Sequence, residues 1–546
     1  MPIRARAKRS SRQKLKKERE TMQPSFLKIT RREGLGLGLA LLSSIMYLSA
    51  PTSARAEFNL RIVQGTDVDT LDPAVSRSTP SQIVFNNIFN TLVRWKDTKL
   101  DEIVPDLAES WTKSEDGLRW TFKLRRGVKF HDGTPFDAEA VKFSLERILD
   151  PALGSPNRSL FTSISEVNAK NPETVEIVTK EPSPMLLEVL AEEYAGINSP
   201  TAVKKSGRAY ARNPVGTGPY MLSEWVPAQQ LVIKRNPDYA GTPGKPDKMT
   251  FRPVPEAEAR VIELTTGNAD IALNIPPEAT EKVRRNAATA IVTEPSSFQI
   301  FFELNTTKPP FADPRVRLAI NHAIDRKAII EKILNGYGRV PDGIFPRGVQ
   351  GRAPGQPPYA YDPDKASKMI AEVFPGGYNE PIVIWTPAGR YAKDKAVAET
   401  VQGYLNAIGL KTEFKVWEWA TYQKTLYRPE TGKGTGRGSN DANMWLLGTG
   451  VTNADWRLRR KFSSTDDSNL TGYKQPRIDE LLAKASVDMN YTSRMQAYAD
   501  VQKIVWNEAP NSLVLFDQVQ LIGIAKGLKG LEVYGDEIIK LDQVTK

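Results

Sequence analysis

The chain has 546 residues, 40% hydrophobic and 25% charged, a length beyond what one hydrophobic core supports, so two or three lobes are expected. It contains no cysteine, which excludes disulfides, thiolate metal sites, cysteine nucleophiles and a lipid-modified N-terminal cysteine. The formal charge of +11 would suggest nucleic acid or a membrane surface, but residues 1–56 hold 13 Lys and Arg against 3 Asp and Glu, leaving +1 for all the rest. The basicity belongs to the leader, and no nucleic-acid partner is expected.

That leader has a basic start, an uncharged stretch "GLGLGLALLSSIMYLSAPTSA" from Gly34 and a small-residue site "ARA" ending at Ala56. It reads as a secretory signal cleaved before Glu57. Arg31-Arg32 stand where a twin-arginine signal would have them, but ordinary leaders also carry two basic residues there, so both export routes stay open. Met22 is an alternative start that would give a more usual leader length. No later run approaches the ~20 apolar residues of a membrane span. The expected location is a Gram-negative periplasm, free in solution.

Strands are predicted at 59–65, 119–125, 174–180, 230–236, 299–305, 381–387, 411–417 and 512–518, from alternating or continuous β-branched and aromatic runs. A helix "AEAVKFSLERIL" is predicted after Asp137, its cap. One long helix is predicted over 313–334, opened by Asp313-Pro314, and further amphipathic helices over 394–410 and 493–510. The segment "RPETGKGTGRGSND" (428–441) is a glycine-rich loop.

Chemical motifs are mostly missing. The glycines at 432, 434, 436 and 438 match neither GxxxxGK[ST] nor GxGxxG, and no GxSxG occurs. The two histidines, His131 and His322, are 191 residues apart, so a metal site would need carboxylates almost alone. No cofactor or metal is implied. In "FHDGTPF" the Asp-Gly and Thr-Pro pairs are turn chemistry, and His131 reads as a hydrogen-bonding turn residue rather than a catalyst.

The segment "LRRGVKFHDGTPFDAEAVKFSLERI" resembles the one that identifies family 5 extracellular solute-binding proteins, periplasmic receptors of peptide, nickel, opine and glutathione ABC importers. Further matches follow in that family's order: "DTLDPA", "VPDLAESWTKSEDGLRWTFKLR", "NPVGTGPYMLSEW", "FFELNTTKPPFADPRVRLAINHAIDR", "YDPDKASKMIAE", "LNAIGLKTEF" and "IDELLAKA". The resemblance covers essentially all of the chain after Glu57. It implies an α/β, two-lobed periplasmic binding protein of the class II-like peptide-receptor type, with a third domain and a hinge between lobes. By analogy domain I comprises 57–100, 205–300 and 509–546, domain II 101–204, and domain III 301–508. The implied partners are a small peptide-like or opine-like solute and the permease subunits of an importer, and relatives are usually monomers. No catalysis is needed, since a ligand that contacts both lobes stabilises the closed form.

Dipeptide receptors of the family carry, after a Trp-rich strand, a segment resembling "GWTGDNGDP" whose first aspartate pairs with the peptide amine. Here the run is "MWLLGTGVTNADW" (444–456), with Gly448 at that position, Thr449 after it, and Asp455 seven residues on as a substitute. Its "ADW" ending resembles the glutathione-receptor branch, with Asn453 in place of a glutamate. An amine buried without its carboxylate is costly, so a ligand with a substituted nitrogen is favoured. Arg390, in "VIWTPAGRYAKDKAVAETVQ", occupies the place of an arginine that binds the ligand carboxylate, a task suited to its planar fork. Arg77, Ser78 and Thr79 correspond to a ligand-touching loop, Trp417, Trp419 and Trp445 are candidate aromatic walls, and Arg437 is a second carboxylate candidate. The expectation is a receptor for a small carboxylate-bearing, amino-acid-derived solute: a peptide, glutathione or an opine. The alternatives are a periplasmic hydrolase using carboxylates and a sensory or chaperone-like solute receptor.

Overall fold

The run "QIFFELN" divides its side chains between two cores. Ile300, Phe302 and Leu304 enter one cluster with Ile384, Met444 and Leu446, while Phe301 joins another with Trp385, Trp445 and Leu447. Both faces of the sheet are covered, which is why these strands read as nearly continuous apolar runs. The computed structural model describes residues 57–546 apart from 101, 427–440, 452 and 467. The leader and the loop that carries Arg437 lie outside the described residues.

The strands that organise the chain are β1 (Asn59–Gln64), β2 (Ala108–Lys113), β3 (Arg119–Leu124), β4 (Ile164–Asn171), β5 (Thr174–Thr179), β6 (Tyr220–Val226), β7 (Gln230–Arg235), β8 (Lys248–Pro253), β9 (Ile271–Ala272), β10 (Thr289–Leu304), β11 (Ile382–Pro387), β12 (Thr412–Trp417), β13 (Met444–Thr449) and β14 (Ser512–Ala525). Ten of them form a mixed sheet in the order β12-β11-β13-β10-β14-β9-β1-β8-β7-β6, and Gly338–Arg339 adds an eleventh strand against β14. A separate antiparallel sheet runs β2-β3-β5-β4.

β10 and β14 are longer than the runs predicted at 299–305 and 512–518. They pair from Thr289 with Ala525 to Glu303 with Ser512, with a register irregularity between Pro295 and Gln299. The polar stretch "EPSS" hid the first half of β10 from a reading of hydrophobic pattern. It stays in the ladder because Ser296 Oγ donates to Gly535 O (3.0 Å) and accepts from the Phe298 N–H (2.9 Å), so the bulge satisfies its own polar groups.

Eight helices matter for the site: α1 (Thr79–Ile88), α2 (Ala138–Leu149), α3 (Leu186–Ala191), α4 (Pro314–His322), α5 (Asp394–Ala407), α6 (Trp419–Leu426), α7 (Ala454–Phe462) and α8 (Tyr491–Asn507). α2 starts as expected, with Asp137 Oδ1 accepting from the Ala140 N–H at 3.0 Å. The single helix expected over 313–334 is instead broken. α4 ends at His322, and Asp325 caps a new turn by accepting from the Ala328 N–H at 2.9 Å. The Arg326 guanidinium then satisfies the carbonyls of Asn321 (2.7 Å) and Val514 (2.7 Å), tying the break to β14.

His131 takes the turn role expected of it. Its Nε2 lies 3.0 Å from Gly218 O and its Nδ1 accepts from the Gly216 N–H at 3.4 Å, the pattern of a neutral imidazole. Burial lowers its pKa, which agrees with that pattern.

Candidate functional site

A cavity of about 110 Å³ is lined by three guanidinium groups, Arg77, Arg390 and Arg460, by the carboxyl groups of Glu192 and Asp536, and by the rings of Tyr194, Phe298, Tyr391, Trp419 and Trp456. Gly448, Thr449 and Thr79 complete the lining used below.

Arg390 follows β11 in a loop fixed from both sides. The Asp394 carboxylate, in the first turn of α5, accepts from the backbone N–H groups of Arg390 (3.0 Å) and Tyr391 (3.2 Å). A side chain at Gly65 would put a Cβ 2.2 Å from Gly389 O, so only glycine lets the two segments approach so closely. The guanidinium Nη2 donates to Thr79 Oγ1 (3.0 Å) and to Glu537 Oε2 (2.8 Å), and the group sits 4.7 Å over the Tyr391 ring and 5.5 Å over Trp419. Its Nε is buried without a partner among the described residues. Glu537 also accepts from Gln518 through its other oxygen and holds a left-handed backbone at φ 69°. The arginine expected to meet a ligand carboxylate therefore already meets an internal one.

Arg77 donates to Asn157 Oδ1 (3.3 Å) and Ser468 Oγ (3.2 Å), joining segments far apart in sequence. Ser78 is buried behind the wall, where its Oγ accepts from Trp419 Nε1 at 3.2 Å. Trp417 packs against Trp385 with ring centroids 4.9 Å apart and is not part of the lining. Trp445 is fully buried in the sheet core and its Nε1 donates to Glu303 Oε2 at 2.8 Å, a consequence of the strand parity that places 445 with Phe301 and Leu447. Asp455 is held by Arg459 Nε (2.8 Å) and Nη2 (2.6 Å) and by the Tyr498 hydroxyl, and it too lies off the cavity.

At Gly448 the wall itself explains the residue. A Cβ there would lie 2.7 Å from both Ile300 Cδ1 and Tyr391 Cε1 and 3.1 Å from Phe298 Cδ1. The Tyr391 hydroxyl donates to Gly448 O at 3.3 Å. Aromatic side chains fill the space in which a carboxylate at this position would stand.

The acidic groups sit on the other side of the balance. Burial, with the negative charges of Glu193 and Glu537 nearby, pushes Asp536 up to about 7. Burial, Glu193 and Asp536 push Glu192 well above the usual carboxylate range. Sequence reasoning singled out none of Glu192, Tyr194, Phe298, Trp456, Arg460, Asp536 or Glu537. Asp536 and Glu537 lie in "YGDEI" and Arg460 in "ADWRLRRKF", segments that carry no chemical motif to mark them.

Among the described residues no helix is long and apolar enough to cross a membrane. The family model for bacterial extracellular solute-binding proteins, family 5, matches residues 102–469. The glutathione-binding protein GsiB of Shigella flexneri is 32% identical over 486 residues, which covers 87% of this chain and 91% of that one. The periplasmic binding protein DppA of Helicobacter pylori, solved in complex with the peptide STSA, superposes with a TM-score of 0.80 at 26% identity, covering 89% of this chain and 99% of that chain. The binding protein AgaA of A. tumefaciens R10, solved with agropinic acid, gives a TM-score of 0.78 at 25% identity over 89% of this chain and 99% of that chain. With its two-lobed α/β fold and a cavity between distant segments, the chain belongs to the family 5 bacterial extracellular solute-binding proteins, the substrate-binding components of ABC importers.

Proposed function

We propose that this receptor captures a small carboxylate-bearing, amino-acid-derived solute, in the range of a modified peptide, glutathione or an opine. The observation that carries this reading is the gathering of Arg77, Arg390 and Arg460 around one cavity walled by aromatic rings. Guanidinium groups supply fork geometry and positive charge for a carboxylate, and the rings supply apolar area for the remainder of the ligand. The binding of glutathione by GsiB, of a peptide by DppA and of agropinic acid by AgaA supports the same chemical class. Gly448, crowded by aromatic groups, gives no amine anchor of the dipeptide-receptor kind, which favours a ligand whose nitrogen is substituted or held elsewhere.

The rest of the reading follows from a receptor of this kind. The chain is exported by the signal ending at Ala56, works as a monomer in the periplasm, and passes its ligand to the permease without altering it. Domain I takes 57–100, 205–300 and 509–546, domain II 101–204 and domain III 301–508. The four-stranded sheet lies wholly within the second range, and a second register irregularity in β10, between Ile300 and Phe301, falls at the start of the third, where a hinge is needed. Closure is driven by the difference in ligand contacts between closed and open forms.

Thermal unfolding of the mature protein against glutathione, di- to pentapeptides, opines and nickel complexes tests the reading. A ligand present at a hundred times its dissociation constant adds ~2.7 kcal/mol of stability. A shift with glutathione or an opine and none with free dipeptides is the expected result; the largest shift from plain dipeptides defeats the substituted-nitrogen reading, and turnover of any binder defeats the non-enzymatic one.

A further inference from the structure

Helix α7 carries four cations within five positions, and three of them are answered by the protein. Arg457 Nη1 donates to Ile344 O (2.7 Å) and Gln299 Oε1 (3.2 Å), Arg459 pairs with Asp455, and Lys461 Nζ lies 2.5 Å from Glu303 Oε1. Arg460 differs. It is 2% exposed, its Nε and Nη1 find no acceptor among the described residues, and its guanidinium rests against the Trp456 ring at 4.4 Å, on the cavity lining.

A second buried donor lines the same cavity. Tyr194 is 3% exposed, packs edge-on against Phe161, lies beside Trp456, and its hydroxyl proton finds no acceptor among the described residues. It comes from the turn after α3, more than 260 residues from Arg460 in the chain. A buried guanidinium that forms no ion pair and a buried hydroxyl proton with no acceptor, among the described residues, are each costly, and native proteins rarely leave such groups unanswered. Both have a proton to donate, so one acceptor can answer both, and an anionic one offsets the charge as well. A carboxylate has lone pairs enough to accept from a guanidinium N–H and from a phenol at once.

We propose that Arg460 and Tyr194 form the clamp that takes the ligand's carboxylate, whereas Arg390, already paired with Glu537, chiefly holds the cavity wall together. This rests on the reading of the ligand as a carboxylate-bearing solute. Because the two donors come from distant segments, an anion between them ties those segments together on binding.

Calorimetric titration tests the clamp, with glutathione, Ala-Ala and agropinic acid as probes, each alongside its carboxylate ester. The unaltered protein is expected to bind at least one acid and to bind its ester at least 30-fold more weakly. Arg460→Met is expected to weaken that acid by 30-fold or more, Arg460→Lys by less, and Tyr194→Phe by about 3- to 10-fold. The ligand-free midpoint of Arg460→Met should stay level or rise, because an uncompensated charge has been removed, an outcome that a structural arginine would not give. Affinity unchanged in Arg460→Met overturns the clamp and leaves the solute reading in place; failure of the unaltered protein to bind any probe overturns both. If Arg460→Met does not fold, Tyr194→Phe and the ester comparison decide, and equal affinity for acid and ester overturns the clamp.

Discussion

Arg390 Nη2 lies 2.8 Å from Glu537 Oε2, joining residues 147 positions apart whose side chains are 5% and 9% exposed. Removing one partner of such a pair leaves the other buried and uncompensated, which typically costs about 3–5 kcal/mol. Arg390→Ala is therefore expected to lower ligand-free stability by that amount in urea denaturation, and pairing it with Glu537→Gln should recover much of the loss. An Arg390→Ala protein as stable as the parent would show that the pair contributes nothing to the wall.

Gly448 gives a prediction of opposite sense to simple motif repair. Restoring an aspartate there would drive its Cβ to 2.7 Å from Ile300 and Tyr391. Overpacking of this kind usually costs about 1–3 kcal/mol. Gly448→Asp should lower the thermal midpoint and give no new affinity for Ala-Ala by calorimetry. A gain in dipeptide affinity would mean that the ring of Tyr391 yields easily and that the wall is not what excludes an amine anchor.

Glu188, in α3, accepts from Asn453 Nδ2 and faces Asp455 and Arg494. Burial, then repulsion from Asp455, pushes it up to about 8. In the unfolded chain it titrates near the ordinary value of ~4.3, so between the two values the folded protein holds more protons. Stability then falls as pH rises through that window, the reverse of an ion-paired carboxylate. Glu188→Gln should flatten the decline in denaturation free energy between pH 5 and pH 8 and add on the order of 1 kcal/mol at pH 8, after allowance for screening. Asp536, pushed up to about 7, and Asp517, pushed up to about 6, act in the same direction and leave a residual slope. An unchanged slope in the variant would remove Glu188 as its source.

The strands were legible in the sequence because period-two runs such as "RWTFKLR" and "TVEIVTK" are bounded by turn residues, and the cap Asp137 marked α2. The helix over 313–334 was overread because a long apolar period conceals a competing local cap, and the signal was present in Asp325 of "HAIDRKA". Position on the cavity lining was legible mostly where a family resemblance carried it, as at Arg77, Thr79, Arg390, Gly448 and Thr449, and at Trp419 from its residue type alone. Arg460 was not, because whether an arginine on a basic helix faces water or a cavity depends on Glu303, Asp455 and Gln299 taking its neighbours, and these contacts span up to 158 residues. Glu537 was hidden for the same reason.

Asp72, in "DTLDPA", performs two structural tasks that a sequence motif does not separate. Its Oδ1 caps a short turn by accepting from the Ala74 N–H at 3.2 Å, and its carboxylate grips Arg147 of α2 through two hydrogen bonds, 2.8 Å to Nη1 and 2.5 Å to Nη2. The pair joins the cavity-bearing loop to the helix over the four-stranded sheet, with side chains 4% and 13% exposed. Asp72→Asn retains an oxygen for the cap but loses the charge, and Asp72→Ala loses both. The expected costs are about 2–3 and 3–5 kcal/mol in urea denaturation. Because the pair is buried, the loss should be nearly equal at 0.1 M and 1 M salt, where a surface pair would be screened away. A cost that disappears at 1 M salt would place the pair in water and remove it as the link between the loop and α2.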